Sequence, residues 1–567
     1  MIFKNKVILN MTEIPSWCLT TSEDHLQPSA LKFLNSLDVY SVHPSCSNLD
    51  GIATTVPSVE MPYTPLQSIV TFICQVVPPL AAMGELWLRL FAGFIAPSVL
   101  AYLLILVINN TSNGVNESSP ARFRLTLICG VSSASAILTD ALYVQEYGRS
   151  LGAGMLFGIL LLVVKVQRMV DRNKLHLAYR LPLTYKVSLV GIVSLVITAI
   201  VNDLSGSISG IDIPDIRPGI YFDQENRAVS SLVENWKIKS EVSLNYDKEA
   251  GSTQWLITGD SRTGIPFLIN PAPSPQYVRR WVKVPEDNEA VAIDVAFPPD
   301  GSHSKSSPVF IVLHGLNGGS SEDYIREFVF RETRKGSTVC VMIARGLMDT
   351  PILGENVFHG ARITDIAATA KTLKLALGKK QTLAGAGFSM GAIILANYVS
   401  RSGIFCDLDV AVVISGGLDM RAQEKFFRSM RLWQPMLAET ARTILLGKFI
   451  DKYQKRLSDE DLLQLLRAPD IYNIDIYGIS RYNNFNGVLD YYNSMSALGD
   501  SVEIDGNGLL QGRINNVHVP LCVIHALDDP LITWRTLGRP DSVVKSSNGN
   551  VVMLLTQGGG KVNAEHN

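Results

Sequence analysis

Hydrophobic residues follow two different patterns along this chain of 567 residues, and the change falls near residue 205. Before that point, apolar residues cluster in runs of 15 to 19 residues, which are 66–84, 90–108, 125–139, 151–166 and 187–201. Beyond residue 276, short apolar runs alternate with stretches of helical periodicity. Long runs are typical of membrane helices and short runs of buried strands, so the pattern predicts a membrane region followed by an α/β region.

The clearest membrane helix is predicted at 90–108, because 19 uncharged residues at about 1.5 Å each reach across roughly 30 Å of hydrocarbon. The run 66–84 is broken by Pro78 and Pro79, which favours an interfacial segment. Together with the three later runs, this predicts a transmembrane region, 66–204, with about three or four spans. The expected localisation is an endomembrane, such as the endoplasmic reticulum.

The side of the membrane on which the α/β region lies stays open, because two signals disagree. Six Lys and Arg residues lie between 165 and 186 against one acid, which favours the cytosol for this loop. Glycosylation sequons at 109–112 and 116–118 favour the lumen for the loop after the first span.

The segments that flank the membrane region carry weaker signals. Residues 1–65 lack the charged start and apolar core of a cleavable secretory signal and are predicted to form a loosely ordered tail. Residues 205–275 are rich in Gly, Ser, Asp and Pro and predict a partly ordered connector.

The region 276–567 predicts an α/β fold, with a mostly parallel sheet and helices on both faces. Two β-rich runs, at 278–284 and 290–297, predict an antiparallel pair at a sheet edge. Later strands alternate with helices, and these strands are predicted at 308–313, 338–344, before Ser389, at 409–414, at 519–525 and at 551–556. The alternation stops at about 420–515, which predicts a cap insertion over the carboxyl ends of the strands.

Composition excludes several functional classes. The formal net charge is −2, so no nucleic-acid partner is indicated. The seven cysteines are scattered, odd in number and without a C-x-x-C pair, which indicates neither a zinc site nor a disulfide framework. No cofactor or metal is expected, and the oligomeric state stays open.

The segment Gly387-Phe388-Ser389-Met390-Gly391 carries the main chemical signal. It joins an apolar strand to a helical stretch, and a turn this sharp needs small residues on either side. Gly-x-Ser-x-Gly exposes its central side chain in a strained conformation, so Ser389 is the candidate nucleophile. A glycine-rich turn without chemistry is the alternative.

Acyl transfer also needs donors for the oxyanion and an acid that orients the base. The loop that starts at His314 follows the first parallel strand, so the backbone N–H groups of Leu316 and Met390 are the candidate oxyanion donors. His314 is expected to hold this loop by hydrogen bonds. Asp529 follows a core strand after the nucleophile and is the preferred acid, with Asp528 as the alternative.

Together these stretches resemble the YheT-like, embryogenesis-associated branch of the α/β-hydrolases, which includes membrane-anchored abhydrolase-domain lipases. The stretches that carry the resemblance are Leu313–Ser320, Ala344–Gly346, Phe358–Gly360, Thr364-Asp365, Gly387–Ala392, Asp490–Tyr492 and Ala526–Leu531. The likeness covers about residues 276–560. It implies a Ser-Asp-His esterase or lipase that acts on glycerolipids, phospholipids or other acyl esters.

The sequence departs from this resemblance at the position of the base. The pattern after the last strand is Gly-Gly-His-x-Gly, and here Gly560 stands where the histidine is expected. Beyond this strand only His566 remains, and a flexible residue is a poor base because proton transfer needs a fixed hydrogen bond. His359 and His525 match other positions of the resemblance. The domain is therefore expected to be truncated at its carboxyl terminus.

Two functional hypotheses follow. The first is a membrane-anchored serine hydrolase that cleaves or transfers acyl groups of lipid esters, with the bilayer and the lipid substrate as its partners. The second is a catalytically impaired, hydrolase-like membrane protein that binds a lipid or a protein partner. A transporter has no positive support, because no internal repeat or paired intramembrane charge is evident.

Overall fold

A computed structural model describes residues 20–44, 55–56, 215–239, 259, 262–264, 272–426, 429–430, 433–443, 447–504 and 508–561. The chain divides into two compact units, one built from residues 1–67 and 216–567 and the other from residues 68–215. Within the described residues, no helix is both long enough and apolar enough to cross a bilayer. The predicted transmembrane region, 66–204, lies outside the described residues and stays a prediction.

The described residues form thirteen strands and eleven α-helices, each numbered in chain order. The strands are β1 (Thr20–Thr21), β2 (Thr55–Val56), β3 (Gly219–Tyr221), β4 (Val278–Val284), β5 (Glu289–Ala296), β6 (Val309–Leu313), β7 (Thr338–Met342), β8 (Leu383–Phe388), β9 (Val410–Ile414), β10 (Val502–Glu503), β11 (Leu510–Gln511), β12 (Leu521–Ala526) and β13 (Val551–Thr556). The helices are α1 (Pro28–Ser36), α2 (Arg227–Lys239), α3 (Asp323–Arg334), α4 (Thr364–Leu377), α5 (Met390–Ser402), α6 (Gln434–Ala441), α7 (Gly447–Arg456), α8 (Asp459–Arg467), α9 (Ile471–Ile474), α10 (Val488–Met495) and α11 (Pro540–Ser546).

Nine of these strands form one sheet in the order β3-β13-β12-β9-β8-β6-β7-β5-β4. The six strands from β13 to β7 in this order run parallel to their neighbours. The remaining three strands are antiparallel to a neighbour. On one side β5 pairs with β7 and β4 pairs with β5, and on the other side β3 pairs with β13. The predicted mostly parallel sheet is confirmed, and β4 and β5 form the predicted antiparallel pair at one edge.

Both faces of the sheet are covered, as its apolar strands require. Along β6, Ile311 packs on one face with the helices α4 and α5, through residues such as Ile366 and Leu395. The next residue, Val312, faces the other way and packs with Ile325 of α3. Successive strand residues alternate between the two faces, so a continuous apolar run is what a strand between two helical layers needs.

The insertion predicted at 420–515 contains the helices α6 to α10 and the hairpin of β10 and β11. Its helices share an apolar cluster that includes Ala438, Tyr453 and Leu465 and that also contains Ile352 from the loop after β7. A second cluster joins Tyr491 and its neighbours to the start of α5. The cap is therefore packed on the loops at the carboxyl ends of the strands.

The prediction of a loosely ordered tail is wrong for residues 20–44. Helix α1 buries Phe33 and Leu34 in the same core cluster as the strands β4 to β6. The Phe33 ring meets Phe297 edge to face at 6.2 Å and stacks on His303 at 4.1 Å. This segment therefore belongs to the core of the α/β unit.

The predicted connector, 205–275, also contributes to the sheet. Strand β3 pairs with β13 and forms the edge opposite β4. Helix α2 packs Val229 and Val233 against Val552 of β13. Short strands at sheet edges carry weak periodicity, so the composition of this segment concealed them.

We expect Phe33→Ala to lower the free energy of unfolding of the α/β unit by about 3 kcal/mol or more, because a buried aromatic ring leaves a cavity. Phe405→Ala is the matched control, since Phe405 is 82% exposed and its truncation should change the free energy by less than about 0.5 kcal/mol. Urea unfolding followed by tryptophan fluorescence measures both. Equal effects of the two substitutions would contradict the docking of α1.

Candidate active site

Ser389 stands at the junction of β8 and α5 in a strained backbone conformation. Its φ is 53° and its ψ is −117°, a region that residues with side chains rarely occupy. The Ser389 N–H donates to the carbonyl of Ile414 at 3.0 Å, which ties the turn to the neighbouring strand β9. This conformation projects the side chain out of the strand-to-helix turn at the carboxyl edge of the sheet.

The two flanking glycines make this turn possible. A Cβ at Gly387 would lie 2.6 Å from the carbonyl oxygen of Gly391, and a Cβ at Gly391 would lie 2.3 Å from the carbonyl oxygen of Leu313. Both distances are shorter than any contact a Cβ can make. Only residues without side chains therefore allow β8, α5 and the end of β6 to approach so closely.

The loop after β6 borders the Ser389 side chain. A Cβ at Gly315 would lie 3.7 Å from Ser389 Oγ, so the backbone that leads into Leu316 is next to the hydroxyl. Among the described residues, no hydrogen bond engages the Leu316 N–H. Met390 is the first residue of α5, and the first N–H groups of a helix have no partner within it. The backbone of Gly315, which precedes Leu316, and the start of α5 at Met390 therefore border the candidate nucleophile, and the two oxyanion donors stay a prediction.

His314 and Tyr324 fix this loop. His314 Nε2 accepts the N–H of Ala344 at 3.1 Å, so Nδ1 carries the proton and donates to the carbonyl of Gly315 at 2.7 Å. Burial lowers the pKa of His314, which keeps the ring neutral. As predicted, it holds the loop through both nitrogens. The Tyr324 hydroxyl accepts the Gly315 N–H at 2.8 Å, a support that the sequence did not indicate.

Asp529 has the geometry of an acid that orients a base. Its side chain is fully buried, and its Oδ1 accepts the N–H groups of Leu531 at 2.8 Å and Ile532 at 3.0 Å. Within the described part of the chain, its Oδ2 has no hydrogen-bond partner. The carboxylate is therefore fixed by hydrogen bonds on one oxygen only, which leaves the other oxygen for a proton-carrying base.

Asp528 is engaged elsewhere. Its Oδ2 pairs with Arg262 Nη1 at 2.8 Å, and its Oδ1 accepts the N–H of Gly560 at 2.8 Å. Burial raises its pKa, and the bonds to Gly560 and Arg262 oppose that change. Both oxygens of this carboxylate serve to hold neighbouring chain segments, which favours Asp529 as the orienting acid.

Among the described residues, no histidine lies in the position of a base. Gly560 has φ 63°, and its N–H is directed to Asp528. His359 is enclosed by Phe485 and Tyr491, and burial, with Arg362 and Arg345, lowers its pKa to about 3. His525 lies within β12, and burial lowers its pKa while Asp529 opposes the change. His566 lies outside the described residues.

A lysine that the sequence did not single out lies next to Asp529. Lys561 Nζ is 3.7 Å from Asp529 Oδ2 and donates to the carbonyl of Ser415 at 3.1 Å. Its side chain is only 8% exposed. The available signal was its place directly after Gly560, where the expected histidine is missing.

Arg345 and Asp365, which belong to the stretches of the resemblance, have a structural role. Arg345 is 1% exposed, and its Nε donates to Asp365 Oδ2 at 2.9 Å. The same guanidinium pairs with Asp287 at 2.5 Å. This buried network connects the loop after β7, the turn before β5 and the start of α4, and so supports the loops around the site.

The cap contacts both loops of the site. Asn317 donates to the carbonyl of Leu437 in α6 at 3.0 Å. Gln423 and Ser429 donate to the carbonyl of Leu531, beside Asp529, at 2.7 Å and 3.0 Å. Within the described ranges, no group of three or more His, Cys, Asp or Glu side chains could hold a metal ion.

No protein-family profile matches the chain. The monoacylglycerol lipase ABHD2 of Danio rerio is 25% identical over 319 residues, which are 54% of this chain and 71% of that protein. The putative esterase YheT of Escherichia coli is 25% identical over 48% of this chain and 74% of its own. The monoacylglycerol lipase of Saccharomyces cerevisiae is 26% identical over 47% of this chain and 56% of its own.

Among solved structures, the esterase Pf2001 of Pyrococcus furiosus aligns with a TM-score of 0.30 and 15% identity, over 51% of this chain and 85% of its own.

A further relative in sequence, an embryogenesis-associated protein of Picea glauca, is 26% identical over 48% of this chain and 58% of its own. The resemblance predicted from the sequence is thus confirmed, since the chain is similar to α/β-hydrolases that include monoacylglycerol lipases, YheT and an embryogenesis-associated protein.

Proposed function

We propose that this protein is a serine hydrolase of carboxylic esters, with Ser389 as its nucleophile. The strained position of Ser389 beside the loop of Gly315 and Leu316 is the observation that carries the proposal. The relatives named as lipases and esterases support the same reaction class. A turn without chemistry has no need of a hydroxyl next to unused backbone donors.

In the proposed reaction, a base takes the proton of Ser389 Oγ as this oxygen attacks the carbonyl carbon of the ester, and a tetrahedral intermediate forms. The N–H groups of Leu316 and Met390 hold the negative charge that develops on the carbonyl oxygen. The base then gives its proton to the leaving alcohol as the ester bond breaks, and an acyl-enzyme remains. Water or another alcohol then releases the acyl group, and Asp529 keeps the proton-transferring base in place.

Lipid esters are the proposed substrates. Five relatives carry names that specify monoacylglycerol lipases. The residue after Ser389, Met390, packs against an apolar cluster that contains Tyr491 and Met495. Apolar surroundings of this kind suit an acyl chain better than a polar substrate.

Membrane anchoring through residues 66–204 and an endomembrane localisation complete the proposal. They rest on the long apolar runs of the sequence. A tether to the bilayer shortens the search for substrates that partition into it. The alternative function, a hydrolase-like module that binds a lipid or a partner, is favoured by glycine at position 560, where the resemblance places the catalytic histidine.

We expect a fluorophosphonate probe to label the natural chain and Ser389→Ala to remove the label completely, because the probe bonds only to an activated hydroxyl. Ser306→Ala is the control, since Ser306 is exposed and remote from the turn in sequence. Gel fluorescence and mass spectrometry of the labelled peptide measure the result. A natural chain that stays unlabelled while folded would support the binding module instead.

We expect Asp529→Asn to lower kcat/KM for a short-chain aryl ester by about 10³-fold or more, because the amide cannot orient a proton-carrying base. Asp528→Asn should retain activity within about tenfold, since this carboxylate holds Arg262 and Gly560 and not the base. Steady-state hydrolysis by both variants measures the difference. The reverse ranking would transfer the role of the acid to Asp528.

The predicted membrane region has a direct test. Alkaline carbonate extraction should leave the full chain in the membrane pellet, and deletion of residues 66–204 should move it to the supernatant. A tagged full chain should colocalise with a marker of the endoplasmic reticulum. Extraction of the intact chain by carbonate would exclude the proposed anchor.

A further inference from the structure

In the part of the chain that the structure describes, the proposed hydrolase has no histidine at the position that the resemblance predicts for the base, because Gly560 stands there. Attack by a serine hydroxyl at neutral pH needs a group that removes the proton as the new bond forms. Such a group must lie beside the orienting acid and close to the nucleophile. Among the described residues, the side chains near Asp529 therefore decide whether the site can work.

Lys561 fills the place beside the acid. Asp529 Oδ2 is buried and without a hydrogen bond to any described residue, and the Lys561 Nζ lies 3.7 Å from it. A buried carboxylate oxygen is costly unless a positive charge or a donor faces it. The ammonium of Lys561 supplies that charge at the position where a triad presents the N–H of its imidazole.

The backbone around Lys561 is fixed from two sides. The Lys561 N–H donates to Thr263 Oγ1 at 2.8 Å, and Thr263 Oγ1 in turn donates to the carbonyl of Gly259 at 2.7 Å. One residue earlier, the Gly560 N–H donates to Asp528 Oδ1 at 2.8 Å. These bonds set the point from which the lysine side chain enters the site, so its direction does not depend on the ion pair alone.

The same amine reaches the strand beside the nucleophile. Lys561 Nζ donates to the carbonyl of Ser415 at 3.1 Å. The carbonyl of Ile414, one residue earlier, accepts the N–H of Ser389. A Cβ at Gly416, one residue later, would lie 3.0 Å from the carbonyl oxygen of Ser389. Lys561 is thus bonded to the middle of the three residues that line the turn of Ser389.

We propose that Lys561 replaces the missing histidine as the base for Ser389, in a Ser-Lys-Asp arrangement that rests on the proposed hydrolase function. Lysine serves as the partner of a catalytic serine in unrelated folds, so the chemistry has precedent. The four-carbon stem of lysine is flexible, so its amine can exchange the Ser415 carbonyl for another nearby acceptor such as the serine hydroxyl.

Lys561 can carry out every proton transfer that this reaction needs. The neutral Lys561 amine takes the proton of Ser389 Oγ as the bond from Oγ to the carbonyl carbon forms. The resulting ammonium gives this proton to the alcohol oxygen as the ester bond breaks. In the second half, the amine takes a proton from water as the water oxygen attacks the acyl carbon. The ammonium then returns that proton to Ser389 Oγ as the acid product leaves.

The charged groups around the amine determine when it is neutral. Burial lowers the pKa of Lys561, and the Asp529 carboxylate opposes this change. The neighbouring His525 is itself kept neutral by burial, and Asp528 is paired with Arg262. The base is the neutral amine, so the reaction rate should rise with pH, with an inflection below the ordinary lysine value of about 10.4.

The test measures the rate constant for fluorophosphonate labelling of Ser389 in the full chain from pH 6 to 10.5. Three variants are compared with the natural chain: Lys561→Arg, which keeps the charge but cannot act as a base, Lys561→Met, which removes it, and His525→Gln, which removes the nearest histidine. Lys545→Met is the matched control, because Lys545 is exposed on α11. Thermal unfolding shows whether each variant is folded.

We expect Lys561→Arg and Lys561→Met to slow labelling by at least about 100-fold and to abolish the rise with pH, whereas Lys545→Met and His525→Gln stay within about threefold. A folded Lys561→Arg that reacts at the natural rate overturns the inference, because a merely structural ion pair survives this change. Loss of labelling in His525→Gln alone also overturns it. In these two cases Ser389 still reacts and the proposed hydrolase stands. A natural chain that is unreactive at every pH overturns both.

Discussion

The candidate site depends on a backbone approach that no side chain would permit. A Cβ added at Gly387, at the end of β8, would lie 2.6 Å from a backbone oxygen at the start of α5. A Cβ added at Gly391 would lie still closer to a backbone oxygen at the end of β6. This approach brings the Gly315 backbone next to Ser389, which directly precedes the first residues of α5. The strain at Ser389 is stabilised by the packed strands on either side, as strained residues require.

The second constraint is electrostatic. Asp529 is fully buried in its side chain, with two backbone donors on one oxygen and the Lys561 amine near the other. A buried ion pair adds little net stability, although removal of one partner costs about 3–5 kcal/mol. A site that keeps such a pair where apolar residues would fit is better explained by chemistry than by stability. Arg345, in contrast, is paired twice and supports loops at a distance.

The periodicity of the sequence predicted the central fold well, because buried parallel strands are continuous apolar runs. The strands β6, β7, β9, β12 and β13 begin and end within about two residues of their predicted limits, and β8 lies before Ser389 as predicted. Ser389 and its flanking glycines could be identified because the turn geometry allows few other residues. What could not be predicted depends on long-range packing. Helix α1 and strand β3 are short and join the core only through partners more than 200 residues away.

The roles of individual polar residues were also hidden for the same reason. Neither Tyr324 nor Lys561 belongs to a local sequence motif. The role of each depends on its contact with a residue of another loop. The choice between Asp528 and Asp529 needed the hydrogen bonds of both carboxylates. Sequence patterns report on neighbours along the chain, whereas these partners are neighbours only in space.

The docking of α1 makes residues 20–44 a part of the α/β unit in spite of their distance along the chain from the strands that they contact. Formation of this core must close a loop of more than 200 residues, because Phe33 and Leu34 pack with β4 to β6. The entropic cost of closing such a loop rises only slowly with its length, so insertions between α1 and the sheet should have little effect on the stability of this core.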